Sequence, residues 1–441
     1  MQDRCINKYG IYSVIALLFF FGCRSRNDRH TSSETDKVTL TYWCATNPHE
    51  ITLATELVAK WNSNHPDIQV NLQPLPASKS SEEALLAAIA GGTTPDICSN
   101  IWPGVVSEYV SAGGLVRLDE FADFNEIISE RIPATLLDSI RFFDGHFYHI
   151  PWKTNPIMIM YNVNIFKQEG ITELPKTYSE YFAVAEKVTK DTDNDGRIDR
   201  WMGYREVLPL WWQRFFDYYC FYIAASGGKT LFDGEKIDFE NDASVKVMGF
   251  FQEIYKEGYY PRTSFQADPF LSGKIVTNIV GPWNITHIEN IKPAGFEYNI
   301  MQIPVPDDYV GPVYTYGDTK NISIFSTTKH PQQAWEFVKF MISAESDLRL
   351  VQIASQLPVR KNVTTNPLFV EHFRTHPKLA KFAEQLAYTR SVDSSAVLKE
   401  VLDAISQEYE ACAIYGVKTP AQAVHDAAER AEVIVEWNRS R

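Results

Sequence analysis

From residue 38 onward, apolar and polar positions alternate with two different periods, that of a strand and that of a helix. Residues 38–43 are β-branched and aromatic and predict a strand, and residues 68–72 alternate as a second strand. Between them, apolar residues recur from Ala54 to Trp61 at i, i+3, i+4 and i+7, which predicts an amphipathic helix. A second helix is predicted over 81–90, and 94–97 leads into a third strand. This alternation is typical of an open, largely parallel α/β sheet.

Later segments continue to mix helices and strands. Helices are predicted over 179–189, 243–257 and 331–342, and a strand over 275–280. From 377 to 439 the pattern is almost wholly helical, with breaks near Gly416 and Pro420. At 441 residues the chain is too long for one compact core and suits two lobes.

The N-terminal segment predicts export and a lipid anchor. Arg4 and Lys8 precede an apolar run over 11–21, which is shorter than the roughly 20 residues that a membrane-spanning helix needs. Gly22 and Cys23 follow this run and resemble a lipobox, at which signal peptidase cuts before a cysteine whose sulfur is acylated. We therefore expect a signal peptide at 1–22, lipidation of Cys23, a flexible tether over 23–37 and an extracytoplasmic location on the cell membrane. A plain signal anchor or a chance cysteine is the alternative.

Composition and cysteine spacing narrow the classes of function. The net charge of −13 leaves no excess of Lys or Arg to neutralise phosphates, which argues against nucleic acid. Aromatic residues make up 13% of the chain, and an acidic, aromatic-rich protein favours a neutral, hydroxyl-bearing ligand. The four cysteines that follow Cys23 form no CxxC pair and no zinc-ligand spacing, so they are buried thiols or disulfides of unassigned pairing. They are Cys44, Cys98, Cys220 and Cys412.

Tryptophan and asparagine residues cluster where predicted strands end. Ligands of open α/β sheets bind beyond the carboxyl ends of the strands. The four places to inspect are 43–47, 97–103, 150–156 and 281–284, and each contains a Trp with Asn close by. This combination of indole rings and amides is the strongest functional signal that the residues give by themselves.

At these positions the chain resembles family 1 of the bacterial extracellular solute-binding proteins, the group that includes the maltodextrin-binding proteins. The resemblance runs from about Val38 to the C-terminus, and its landmarks stand in the family's order. They are the strand ending in Trp43, Gly92-Thr93-Thr94-Pro95-Asp96-Ile97, Gly114-Leu115-Val116-Arg117-Leu118-Asp119, Pro151-Trp152-Lys153-Thr154-Asn155, Met160-Tyr161-Asn162, Leu174-Pro175-Lys176-Thr177-Tyr178, Gly281-Pro282-Trp283, Gln333-Ala334-Trp335-Glu336-Phe337-Val338-Lys339-Phe340, Leu357-Pro358-Val359-Arg360 and Pro420-Ala421-Gln422-Ala423-Val424.

The resemblance implies a two-lobed periplasmic-binding-protein fold of type II, an α/β fold with mixed sheets and a ligand cleft between the lobes. It assigns 38–154 plus 314–356 to lobe 1 and 157–311 plus 357–441 to lobe 2. It also implies a binding protein and not an enzyme, which captures a carbohydrate, an oligosaccharide in the favoured interpretation, and delivers it to the membrane subunits of an ABC importer. We expect a monomer that requires no cofactor.

A sugar cleft needs aromatic rings for the C–H faces of the ligand and polar side chains for its hydroxyls. Trp152 and Trp283, from opposite lobes, are expected to face one gap, whereas core packing of Trp43 is an equally good interpretation. The candidate ligand-binding residues are Trp43, Asn100, Trp102, Trp152, Asn155, Trp211, Trp212, Trp283, Asn284, Tyr316 and Asp318.

One further segment has the spacing of a calcium loop. Residues 191–199 reproduce positions 1, 3, 5, 6 and 9 of an EF-hand loop, including a glycine at the tight turn. Met202 stands at the twelfth position instead of the usual Glu, so a solvated turn is the alternative, and bound Ca²⁺ would be structural. The expected ligands are Asp191, Asp193, Asp195, the backbone of Arg197, and Asp199.

Two other functions stay open at this point. A secreted carbohydrate-active enzyme would need two opposed carboxylates, and Glu206, Asp217 and Asp318 are available without a motif that pairs them. A binding protein that presents its ligand to a sensor kinase would use the same fold and the same cleft as an importer component.

Overall fold

The computed structural model describes residues 37–76, 80–208, 210–393 and 395–439. The expected signal peptide, Cys23 and the tether up to residue 36 lie outside the described residues. Within the described ranges, no helix is both long enough and apolar enough to cross a membrane.

The described residues form strands and helices in mixed order along the chain. The strands are β1 (Val38–Cys44), β2 (Ile68–Pro74), β3 (Ile97–Ile101), β4 (Ile150–Pro156), β5 (Met158–Asn162), β6 (Phe232–Asp233), β7 (Lys236–Ile237), β8 (Thr277–Val280), β9 (Tyr298–Met301), β10 (Thr315–Ile324) and β11 (Thr389–Arg390). The α-helices are α1 (Pro48–Asn64), α2 (Ser81–Gly91), α3 (Val106–Ser111), α4 (Phe124–Arg131), α5 (Ala134–Ile140), α6 (Val163–Gln168), α7 (Tyr178–Val188), α8 (Tyr218–Ala225), α9 (Asp242–Lys256), α10 (Trp283–Ile291), α11 (Pro331–Met341), α12 (Ala344–Ala354), α13 (Pro367–Thr375), α14 (Pro377–Gln385), α15 (Leu398–Tyr409) and α16 (Pro420–Arg439).

The larger sheet has the strand order β11-β10-β3-β1-β2, and β4 also pairs with β10. β1 is parallel to β2 and β3, as the strand–helix alternation predicts. β10, however, is antiparallel to both β3 and β4. The sheet is therefore mixed and not largely parallel, because the chain leaves this lobe through β4 and returns along its neighbour β10 in the opposite direction.

The smaller sheet, β8-β5-β9, is antiparallel throughout. The chain passes from the larger sheet to the smaller one between Pro156 and Met158, and it returns at Thr315. A third connection runs beside β4, where the backbone N–H of Val359 donates to the carbonyl of Trp152. We call the lobe with the larger sheet lobe 1 and the other lobe 2; the residue boundaries assigned to them above stay predictions.

Local sequence signals set several helix ends. Thr177 and Glu180 form a capping box at the start of α7, and Pro331 occupies the first turn of α11, where a backbone donor is not needed. The predicted bounds of α7, α9 and α11 are confirmed to within one residue.

The C-terminal part is less helical than its pattern predicts. α14 ends at Gln385, and α15 begins only at Leu398. Between them, Thr389 and Arg390 form β11 and pair with the start of β10. The edge of β10 offers backbone partners that satisfy this segment outside a helix, which a local pattern does not reveal.

The core of lobe 1 includes buried polar groups as well as apolar side chains. Trp335 is fully buried, stacks on Phe121 and donates its indole N–H to Asp123. Arg131 and Asp347 form a buried ion pair. The four cysteines of the folded part, Cys44, Cys98, Cys220 and Cys412, are free and buried, as the interpretation as thiols expects.

Candidate functional site

A groove with a volume of about 920 Å³ lies between the two lobes. On the lobe 1 side it is lined by Leu75 and Pro76 after β2, by Asn100 on β3, and by the segment from Ala45 to Glu50. That segment runs from the end of β1 into the first turn of α1. The groove thus lies at the carboxyl ends of the parallel strands, where ligands of such sheets bind.

The lobe 2 wall of the groove is the beginning of α10. Trp283, Asn284 and His287 line it. The indole of Trp283 packs directly on the backbone of Gly281. The contact is so close that a Cβ added to Gly281 would lie 2.0 Å from the ring. The ring also meets Phe216 edge-on at 6.2 Å. Trp283 is half-buried, so part of its surface is open to the groove.

The floor of the groove is formed by β4 and β10. Lys153 and Lys320 are directly opposite each other in the antiparallel register, and Asp318 lies two residues before Lys320. Because side chains alternate along a strand, these three project to the same face, and all of them line the groove.

Each lysine of the floor has an acidic partner. Lys153 Nζ lies 2.5 Å from Glu50 Oε1, with the two side chains 1% and 6% exposed. Lys320 Nζ lies 3.5 Å from Asp318 Oδ1. The paired charges balance, so the floor offers hydrogen-bond donors and acceptors without a net charge from these four residues. Such a surface suits a neutral polar ligand better than a polyanion.

Glu50 is fixed from several sides. Its Oε1 also accepts hydrogen bonds from Gln356 Nε2 at 2.8 Å and from Asn47 Nδ2 at 2.9 Å. Burial by itself raises the pKa of Glu50, but Lys153 and the hydrogen bonds outweigh it and hold the pKa below its usual value. The second oxygen, Oε2, is buried and has no partner among the residues that the structure describes.

A smaller aromatic recess of about 250 Å³ adjoins the groove. Groove and recess share Ser80, Ser81, Asp318 and Lys320. The aromatic side chains that line the recess come from both lobes and are Trp102, Trp211, Trp212, Phe215, Phe216 and Tyr316.

The recess is where the lobes touch. The ring centroids of Trp102 and Trp211 are 5.0 Å apart, and the ring of Tyr316 stacks on Phe215 at 4.7 Å. The hydroxyl of Tyr316 donates to Asp318 at 3.3 Å, which connects the recess to the groove floor. Trp212 is 41% exposed and is the indole most open to a ligand in this recess.

Eight of the eleven candidate residues line the groove or its recess. Asn100, Trp283, Asn284 and Asp318 line the groove. Trp102, Trp211, Trp212 and Tyr316 line the recess, together with Asp318.

Three candidates line neither the groove nor the recess. Trp152 is 2% exposed and belongs to the core of lobe 1, because its neighbour Lys153 takes the groove face of β4. Trp152 and Trp283 therefore do not face one gap as expected. Asn155 is 1% exposed and bonds to Gln356, so it supports the wall from behind. Trp43 is half-buried and donates its indole N–H to Gln73.

Sequence reasoning missed several polar and charged residues of the groove. Glu50, Lys153, Lys320, Gln356 and His287 were not candidates, although all of them line the groove. A usable signal was present in β10, because Asp318 and Lys320 are two residues apart and side chains two apart on a strand project to the same face. The pairing of Lys153 with Glu50 had no such signal.

The candidate calcium loop brings three carboxylates together. One oxygen each of Asp191, Asp193 and Asp195 lies within 4.8 Å of the others. The backbone N–H of Arg197 donates to Asp195. Asp199 instead accepts hydrogen bonds from the backbone N–H and hydroxyl of Thr192, at 2.8 and 2.7 Å, and is not part of this group. Calcium binding stays a prediction.

Comparison with known proteins places this geometry in context. A family model described as a bacterial extracellular solute-binding protein matches residues 56–380. A maltotriose-binding protein of Pyrococcus abyssi is 26% identical over 337 residues, which are 74% of this chain and 67% of that protein.

Solved structures share the fold over nearly the whole described chain. An uncharacterized protein of Listeria monocytogenes gives a TM-score of 0.74 at 25% identity, covering 90% of this chain and 100% of that one. The maltose/maltodextrin-binding domain MalE of Bdellovibrio bacteriovorus, solved with maltotriose bound, gives 0.72 at 19% identity, covering 92% and 100%. These likenesses confirm the two-lobed α/β fold.

Proposed function

Because the chain belongs to the family of bacterial extracellular solute-binding proteins, we propose that it captures an oligosaccharide between its lobes as the lipid-anchored binding component of an ABC importer. The family and its relatives are solute-binding proteins and not enzymes. Proteins named for maltotriose binding and for maltose or maltodextrin binding match over most of the chain, which supports a carbohydrate as the ligand here.

The observation that carries the proposal is the pairing of an open indole with a charge-balanced polar floor in one groove. The exposed part of the Trp283 ring can cover the C–H face of a sugar, combining apolar burial with attraction to the electron-rich ring. Asn100 and the floor residues Lys153 and Asp318 can bond hydroxyls. A sugar hydroxyl buried without such partners would cost roughly 1–3 kcal/mol, so both kinds of surface are needed.

Size favours an oligosaccharide over a single sugar. The groove of about 920 Å³ continues into the recess of about 250 Å³, where Trp212 offers a second open ring. A ligand that contacts Trp283 in lobe 2 and the lobe 1 floor at once stabilises the arrangement in which the lobes enclose it, so closure is a shift of populations.

Of the three carboxylates that the sequence offers to a glycosidase, Glu206, Asp217 and Asp318, only Asp318 lines the groove. Asp217 is fully buried beside Arg214, and burial raises the pKa of its carboxyl. Glu206 lines a different hollow from Asp318. Opposed carboxylates flanking one bond are what glycoside hydrolysis requires.

Isothermal titration of the purified folded part with maltotriose, xylotriose, cellotriose and diacetylchitobiose tests the proposal. At least one should bind without being cleaved. Trp283→Ala should lose about 2 kcal/mol of binding free energy, which is roughly a 30-fold rise in Kd. Trp437→Ala is the matched control, since Trp437 is 69% exposed on the last helix and distant in sequence from the groove residues.

A protein that is folded but binds none of these oligosaccharides, or a Trp283→Ala variant with unchanged affinity, would contradict the sugar assignment. The anchor has a separate test. Cys23→Ala should abolish the incorporation of labelled palmitate into the chain, and a variant labelled as strongly as the wild type would contradict lipidation at Cys23.

A further inference from the structure

A second cavity lies behind the floor of the groove, and we call it the rear cavity. It has a volume of about 370 Å³. Thr154 and Thr319 are directly opposite each other in the pairing of β4 with β10, and both line it. Their neighbours Lys153 and Lys320 line the groove instead. Because side chains alternate along strands, one pair of strands separates the two compartments.

The rear cavity is lined by several parts of the chain. Val106 of α3 belongs to lobe 1, Val359 lies on the third connection between the lobes, and Leu386 and Val392 flank β11. These apolar side chains make the rear cavity suitable for the hydrophobic body of a small molecule.

Asn321 on β10 is the polar group that the rear cavity leaves unsatisfied. It is 1% exposed, and neither its Nδ2 nor its Oδ1 has a hydrogen-bond partner among the described residues. A buried polar group without a partner costs roughly 1–3 kcal/mol, and few such groups persist in native proteins. Asn321 lines the rear cavity, so a donor and an acceptor without partners are buried at its wall.

His149 adds a second unsatisfied atom to the same lining. Its Nδ1 is buried without a partner in the described part of the chain. Burial lowers the pKa of His149 to about 4, so the imidazole is neutral near pH 7. Arg141, which also contributes to the lining, is an exposed residue and donates to the carbonyl of Gly145. The polar groups presented to an occupant are thus mainly neutral.

We propose that the rear cavity is a second ligand site, for a small neutral molecule with an apolar body and an amide-like donor–acceptor pair that bonds to the side chain of Asn321. An amide or lactam matches both atoms of the Asn321 side chain at once, whereas a sugar would bury more hydroxyls than these few polar groups can pair. The assignment does not depend on which ligand the groove binds.

Benzamide is a suitable probe, because it joins a primary amide to an apolar ring. Ligand-observed NMR with the folded part of the chain should detect binding, and a crystal soaked with benzamide should show its amide on Asn321. Asn321→Leu keeps the size of the side chain and removes both polar atoms, so it should weaken benzamide binding at least tenfold. Ser107→Ala changes a hydroxyl of the same lining and should leave the affinity unchanged.

Asn321→Leu should also unfold at a urea concentration equal to or higher than the wild type, because an unpaired buried amide is replaced by an apolar group. If that variant folds poorly, Val392→Trp fills the cavity from its half-buried edge and should abolish benzamide binding. A crystal structure at saturating benzamide that shows ordered water and no benzamide between Asn321 and His149 would overturn the proposal. Equal benzamide binding by the wild type and the folded Asn321 or Val392 variant would overturn it as well.

Discussion

Replacing Lys153 with Met tests whether the groove floor rests on a buried ion pair. The change removes the ammonium group and keeps the length of the side chain, so Glu50 stays buried at 6% exposure without the charge that lies 2.5 Å from it. Removing one partner of a buried pair costs roughly 3–5 kcal/mol, because the other charge remains uncompensated. Hydrogen bonds from Gln356 and Asn47 to Glu50 persist, so we expect the lower end, about 3 kcal/mol less free energy of unfolding at pH 7.

The double variant Glu50→Gln/Lys153→Met provides the control. It removes both charges and retains an amide oxygen that Gln356 and Asn47 can still donate to, so it should recover most of the loss. Urea unfolding followed by circular dichroism measures all variants. A loss below about 1 kcal/mol for Lys153→Met, or a double variant no more stable than the single one, would refute the buried pair.

The pH dependence of the same variant gives a second measurement. In the wild type the folded pKa of Glu50 lies below its usual value of 4.5, so its contribution is complete above 4.5 and is lost only as the pH falls through the lower folded value. In Lys153→Met, burial without a cation raises the pKa of Glu50, and the folded state takes up a proton first. The deficit should therefore shrink between pH 7 and 5; a constant deficit would contradict the assignment.

Three further predictions concern other parts of the molecule. Gly281→Ala should weaken ligand binding about as much as loss of Trp283, because the new Cβ would lie 2.0 Å from the ring of Trp283. Gly249→Ala is the control, since its nearest contact would be at 3.7 Å. An unchanged oligosaccharide affinity of Gly281→Ala would count against Trp283 as a ligand contact. Between pH 6.5 and 4 the wild type should lose about 2–3 kcal/mol more stability than His149→Gln, since the unfolded imidazole takes up a proton near 6.5 and the folded one only at about 4; parallel pH profiles would exclude this. Calcium at about 1 mM should raise the Tm of the wild type relative to EDTA, and Asp193→Asn should remove the effect; a wild type without a shift binds no stabilising calcium in the loop.

Sequence periodicity was sufficient for elements whose hydrogen bonds are local or between chain neighbours. β1, α1 and β2 follow from their own patterns, and the capping box of Thr177 gives the start of α7. The antiparallel pairing of β10 with β4 did not follow, because it depends on where a distant part of the chain returns. β11 was not predicted for the same reason, because it forms by pairing with the start of β10.

The candidate site was found more completely for aromatic residues than for charged ones. In β4, Trp152 and Lys153 are neighbours, and alternation allows only one of them to face the groove. Residue type alone favoured Trp152 as the groove residue, because a lysine on the groove floor would be buried, and a buried lysine without a partner is costly. The partner, Glu50, lies in the first turn of a helix far earlier in the chain, and only the folded structure brings the two together.

The alternation of side chains along β10 has a consequence for how this protein can change. Inserting one residue ahead of Asp318 would turn Lys320 toward the rear cavity and Thr319 toward the groove, so the linings of both compartments would change in a single event. The register of β10 is thus constrained by the linings of both compartments at once. The lining on either side can be altered by exchanging side chains in place, whereas adding or removing a single residue of β10 changes both sides together.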